Sequence, residues 1–180
     1  APPPGAPFRV TVRRADGTSE VVTIDHALDD RILRVPGVVV VAASTSKAGH
    51  ARYSNWGDGI GIAAPSGARL ANEPAPGNAQ DSVFVAVKLG VTNYPFSGTS
   101  AATPIAAGVA ALVLSANPDL SAREVREILE DTADQVGDPV DPAAAYTLPG
   151  RGRQRSLHLG YGKVNAAAAV AEALRRRRPG

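Results

Sequence analysis

Apolar and polar residues alternate through FRVTVRR and again through SEVVTI, with the turn-forming ADGT between them. Period-two patterning about such a turn predicts an antiparallel β-hairpin. The pattern then changes. VVVVAAS, opened by Pro36-Gly37, is an unbroken and largely β-branched run, which predicts a fully buried parallel strand. GIGIAAP (residues 59–65) predicts a second short strand, stopped by Pro65-Ser66-Gly67. HALDDRILR (residues 26–34) fits either a short helix or a loop. The stretch up to about Thr92 is rich in Gly, Pro and Asn, with an edge strand expected at SVFVAV.

Three helical patterns follow. Residues 100–116 are nearly all Ala, Val, Ile and Leu, so this helix should be buried on every side, and it should end at Asn117-Pro118. SAREVREILEDTADQV begins with Ser121 as N-cap and Glu124 three positions on, a capping box. Its inner face is expected to carry Val125, Ile128, Leu129 and Thr132. A third helix, residues 164–176, should bury Val164, Ala167, Val170, Ala171 and Leu174. Strands with intervening helices indicate a layered α/β fold.

Composition narrows the function classes. The 180 residues are 44% hydrophobic and 20% charged, enough for a packed core. Net charge is +2, but four of the 19 basic residues are Arg175, Arg176, Arg177 and Arg178; setting them aside leaves 15 against 17 acidic ones. The body is therefore not a basic nucleic-acid surface. With no cysteine, disulfides, thiolate metal sites and cysteine nucleophiles are excluded. No signal peptide and no apolar run long enough to span a membrane is expected. Methionine is absent, position 1 included, so the chain is expected either to have lost an initiator or to have been cut from something longer. The proline-rich APPPGAP start reads as an extended lead.

The chemistry concentrates in FSGTSAATPIAAG, residues 96–108. A serine in the first turn of a helix lies where unpaired N–H groups and the positive dipole end converge. Its N–H can hold a developing oxyanion while its hydroxyl attacks a carbonyl. Gly98 lets backbone pass close to a substrate, Ala101 and Ala102 leave the hydroxyl uncrowded, and Pro104 is expected within the first turn. A simple N-cap is the other reading of Ser100, and residue pattern alone favours it.

Resemblance shifts that balance. GTSAATPIAAGVAALVLSANPDLSAREVREILEDTAD resembles the nucleophile segment of the subtilisin-like serine peptidases, with Gly98, Thr99, Ser100, Ala102, Pro104, Asn117, Pro118 and Leu120 at the motif positions. VPGVVVVAAS and ARYSNWGDGIGIAAPSG resemble that family's strand, Ser-Asn-x-Gly turn and Ala-Pro-Gly strand end, and LGYGKVNAAAAV its closing helix. The four segments are collinear over residues 36–172. The resemblance implies the C-terminal part of a three-layer α/β/α fold with a mostly parallel sheet. It divides the chain into a lead and hairpin (1–30), the peptidase part (31–174) and a basic tail (175–180). It also implies Ser100 as acylating nucleophile and oxyanion donor, Thr99 in support, and Phe96, Ser97 and Gly98 lining a cleft for an extended peptide. Ala101 stands where many members have Met, as in the kexin-like branch, and Ser66 replaces the common glycine after Ala-Pro.

The family's Asp, His and oxyanion Asn precede every matched segment. Asp25-His26 fits neither family motif, and His50 and His158 read as surface histidines. Three explanations follow: a nucleophile-bearing portion completed by an upstream segment or partner chain, a non-catalytic peptide-binding or structural module, or a base recruited from the three histidines. Asp29 and Asp30, near the expected specificity pocket, would favour a basic side chain, or else form a solvated pair with Arg31 and Arg34. The arginine tail would bind phosphate, membrane surface or an acidic partner, or else be a solvated helix end. The chemistry needs no cofactor. The resemblance leaves room for structural calcium, but Asp58, Glu73, Asp81, Asp138 and Asp141 lack EF-hand-like spacing, so no ligand is assigned. An extracellular or cell-envelope location follows from the resemblance alone.

Overall fold

The computed structural model describes residues 8–13, 18–24, 35, 37–67, 83–85, 94–137 and 145–177. The hairpin forms as patterned: β1 (Phe8–Arg13) pairs antiparallel with β2 (Ser19–Ile24), Phe8 opposite Ile24. β3 (Val41–Ser44) and β4 (Ile62–Pro65) pair in parallel, Val41 opposite Ile62. β5 (Val83–Val85) and β6 (Tyr94–Phe96) pair antiparallel. The β3–β4 pair is the parallel core expected of the layered fold, and Ala63 extends it through a parallel bridge to Lys163. The segment 26–34 lies outside the described residues.

Both faces of the β3–β4 pair are covered, because side chains alternate across a strand. Ala43, Ile62 and Ala64 pack under the helices, whereas Ala42, Ala63 and Ile60 pack with Leu159, beside Val136 and Tyr146. Small residues in both strands let the layers approach closely. Val41 and the preceding Val38, Val39 and Val40 are only half-buried, which corrects the expectation of a fully buried run. The outer side of β3 is met by the turn that follows it: Ala51 N–H donates to Ala43 O at 2.9 Å and Ala43 N–H to Ser54 Oγ at 2.9 Å. No strand lies there among the described residues.

Helix α1 (Thr99–Ala116) packs on β3, β4, α2 (Ala122–Asp131) and α3 (Ala166–Arg175). Its buried stripe is Ala101, Ala102, Ala106, Val109 and Val113. The outer side is open, with Leu112 53% and Leu114 41% exposed, so the helix is not buried all round. Its 18 residues are also apolar and long enough to cross a membrane by length and composition, contrary to the sequence reading; one face nevertheless packs on a sheet. Pro104 is the sixth helical residue and lies in the second turn rather than the first. Its missing N–H therefore leaves the Ser100 carbonyl without a helical donor. At the other end Asn117 is buried and donates from Nδ2 to Ala173 O at 3.2 Å, tying α1 to α3.

The capping box of α2 forms: Ser121 Oγ accepts from Glu124 N–H, and Glu124 Oε2 accepts from Ser121 N–H at 2.8 Å. Val125, Ile128 and Leu129 are buried, as patterned, and half-buried Thr132 caps Ile128 O through its hydroxyl at 2.6 Å. α3 faces the other way from the expectation. Ala169 and Ala173 are buried while Ala167, Ala171 and Leu174 are exposed and Val164 and Val170 half-buried. In a helix so rich in alanine, close backbone approach decides the inner face, and the larger side chains turn outward.

Candidate active site

Ser100 is the second residue of α1 and is exposed, as is Thr99 before it. At that position its N–H has no helical acceptor, so donor and hydroxyl are presented together at the dipole's positive end. Thr99 O is occupied by Thr103 Oγ1 at 2.8 Å. Gly98 is the N-cap, buried, with φ 91° and ψ 170°, a region essentially reserved for glycine. Its carbonyl begins the helix by accepting from Ala101 N–H at 3.0 Å. Half-buried Phe96 ends β6, and the Ser97 hydroxyl is buried without a hydrogen-bond partner among the described residues. A cleft of about 280 Å³ opens beside Thr99 and Thr103, walled by residues 38–41, Ser54, Asn55 and Ile60. The structure thus brings the predicted Phe96 to Ser100 segment into one strand-to-helix turn at the end of the parallel pair.

Two side chains that sequence reasoning passed over hold this turn. Tyr53 Oη accepts from Gly98 N–H at 3.1 Å and donates to Gly67 O at 2.6 Å. Ser66 Oγ donates to Gly98 O at 2.9 Å. The serine that stands for the usual glycine after Ala-Pro was the available signal.

The subtilase family model matches residues 16–162. The chain belongs to the subtilase family. Among its relatives, the calcium-dependent protease of Nostoc sp. is 38% identical over 147 residues, covering 76% of this chain and 21% of that protein. Serine protease AprX of Bacillus subtilis is 36% identical over 122 residues, covering 68% of this chain and 27% of that protein. Among solved structures, a protease from Pseudoalteromonas arctica superposes with a TM-score of 0.56 at 33% identity, over 79% of this chain and 38% of that one. The fold is the subtilisin-like α/β fold in part, and the chain spans well under half the length of these proteins.

Elsewhere in this subtilase, His50 and His158 are half-buried rather than on the surface; their rings lie tilted by 30° with centroids 4.4 Å apart, and Trp56 lies 5.6 Å from His158. Asp25, His26, Asp29 and Asp30 lie outside the described residues. So do Glu73, Asp81, Asp138 and Asp141, while Asp58 is paired with Arg155. Among the described residues no three His, Asp or Glu side chains gather to hold a metal ion, so no donor set for calcium is identified there. The tail is less free than its charge suggests: Arg175 and Arg176 both hydrogen-bond Glu172, at 2.6–2.7 Å. That pairing holds the Glu172 carboxyl down to about 2.

The arginines of GRGRQR (residues 150–155) serve the fold. Arg151 pairs with Asp131 at 3.1 Å and approaches Glu127 and Glu130, and Arg153 donates to Asp131 O at 2.7 Å. They stitch the loop ahead of α3 to the acidic end of α2.

Proposed function

We propose that this chain is the nucleophile-bearing part of a subtilisin-like serine endopeptidase. Ser100 Oγ attacks a peptide carbonyl and gives its proton to a histidine. The tetrahedral oxyanion is held by the Ser100 N–H and an asparagine side chain, and the amine leaves to give an acyl-enzyme that water hydrolyses. The histidine, its aspartate and the asparagine come from an upstream segment or a partner chain. Phe96, Ser97 and Gly98 bound the substrate, which lies as an extended strand. An exported or envelope location and a structural calcium are parts of the same proposal. The calcium rests on the name of the Nostoc relative, and no step of the chemistry runs through it.

The observation that carries this reading is the exposed Ser100, whose N–H has no acceptor within the helix, at the start of a helix whose first carbonyl is locked in place. Fluorophosphonate labelling read by intact mass tests it, on the chain alone and together with the segment encoded ahead of Ala1. Labelling is expected only in the second form and should vanish in Ser100→Ala. Labelling of the isolated chain would point to a base among its own histidines. No labelling in either form would leave the non-catalytic module as the function.

A further inference from the structure

We propose that Tyr53 and Ser66 are positioning residues for Ser100, a refinement that rests on the nucleophile reading above. Their hydroxyls close a hydrogen-bonded ring on a single residue. Gly98 N–H donates to Tyr53 Oη at 3.1 Å, Tyr53 Oη lies 2.9 Å from Ser66 Oγ, and Ser66 Oγ donates to Gly98 O at 2.9 Å. Proton counting sets the direction. Each hydroxyl has one proton; that of Ser66 goes to Gly98 O, and the single Tyr53 proton is divided between Gly67 O at 2.6 Å, which holds it more strongly, and Ser66 Oγ at 2.9 Å. Both polar groups of the Gly98 backbone are thereby fixed by one chain of donors, each polarising the next.

The ring is anchored on rigid parts. Ser66 follows the end of β4, is only 5% exposed, and donates its N–H to Ser44 O at 2.8 Å. Tyr53 stands in the turn tied to β3 through Ser54 Oγ and Ala43 N–H. The helix offers no side-chain cap of its own at Gly98. The carbonyl that Ser66 holds is also the one that accepts from Ala101 N–H at 3.0 Å and Ala102 N–H at 3.4 Å. Ser100 lies between those two helical anchors and the ring, so the hydroxyl pair sets where its Oγ and N–H point. A glycine at position 66, as the family commonly has, would leave Gly98 O without this donor.

Errors of about 1 Å at a reacting group cost on the order of a hundredfold in rate. The test uses whichever form of the protein labels at Ser100. Tyr53→Phe keeps the ring and removes the oxygen; Ser66→Ala removes the other hydroxyl; Ser66→Thr keeps it. Tyr53→Phe and Ser66→Ala should each lower kcat and the fluorophosphonate rate by roughly ten- to a hundredfold with KM within about twofold, and Ser66→Thr should recover most of the loss. The double variant should lose much less than the product of the single losses, because both hydroxyls act on one residue. Lowered thermal stability with unchanged kcat and labelling rate would reduce the pair to a structural role and overturn the proposal. Failure of the unaltered protein to label in any form is a separate result: it removes the nucleophile reading, and the positioning role falls with it.

Discussion

Gly98 is the residue on which the turn from Phe96 to Ser100 depends, because its φ of 91° and ψ of 170° suit no side chain. A Cβ there adds about 1–3 kcal/mol of backbone strain, and the strain falls on the residue whose carbonyl starts α1. Gly98→Ala should therefore lower stability by that amount in urea unfolding and also slow labelling of Ser100. A stable variant with unchanged labelling would show that the turn tolerates another path. The placement of Ser100 at the start of a helix was legible in the sequence, since Gly-Thr-Ser and the following apolar run are contiguous. Tyr53 and Ser66 were not, because they stand 45 and 32 residues from Gly98 along the chain and only folding brings their hydroxyls to it. Gly160 carries a similar lesson. Its Cβ would run into the backbone carbonyl of Gly61, so the Gly-Tyr-Gly signature marks a close approach of two backbones that no local pattern reveals.

At the scale of elements, local signals were easier to read than those set by distant partners. The capping box at Ser121 is local chemistry and appears where the sequence places it. The end of α2 comes earlier than the patterned Val136, because Asp134 leaves the helix to exchange backbone bonds with Lys163, both at 2.8 Å. That partner is distant in sequence and so invisible to periodicity. In α3 the alanines gave little phase information, and the buried face went to Ala169 and Ala173. The last turn of α3 has its own electrostatic clasp. Hydrogen bonds from Arg175 and Arg176 hold Glu172 at about 2, below its ordinary 4.5. A carboxyl depressed in the folded state stabilises above its unfolded value, and that stabilisation drains away as pH falls from about 4.5 towards 2. Both arginines are at least partly solvated, so screening limits the contribution to about 0.5–1 kcal/mol. Glu172→Gln should lower the melting temperature at neutral pH, with the difference from the unaltered protein closing as pH approaches 2. A gap that persists unchanged at low pH would mean that the clasp contributes by packing rather than by charge.

The whole molecule poses a different balance. Its buried side chains form two clusters on the faces of one parallel pair, yet α1 leaves Leu112 and Leu114 largely exposed, and Leu174 of α3 and Val35 add to the open apolar surface. Such surface is costly in water, at roughly 25 cal/mol per Å², and contiguous patches of it mark faces that meet another body. A helix of nearly uniform apolarity suits burial on more sides than the described neighbours cover, and the matched region spans only 21% of the Nostoc relative and 38% of the Pseudoalteromonas structure. If the proposed upstream segment covers that face, the chain alone should not be a well-behaved monomer. Sedimentation velocity over a tenfold concentration range is expected to show self-association, and calorimetry a broad, weakly cooperative transition. Adding the upstream segment should yield a single species with a sharp melt, and substituting Leu112 and Leu114 by polar residues should relieve association of the chain alone while weakening that assembly. A monodisperse chain that melts cooperatively by itself would mean that the open face of α1 needs no cover, and the case for a completing segment would then rest on Ser100 chemistry alone.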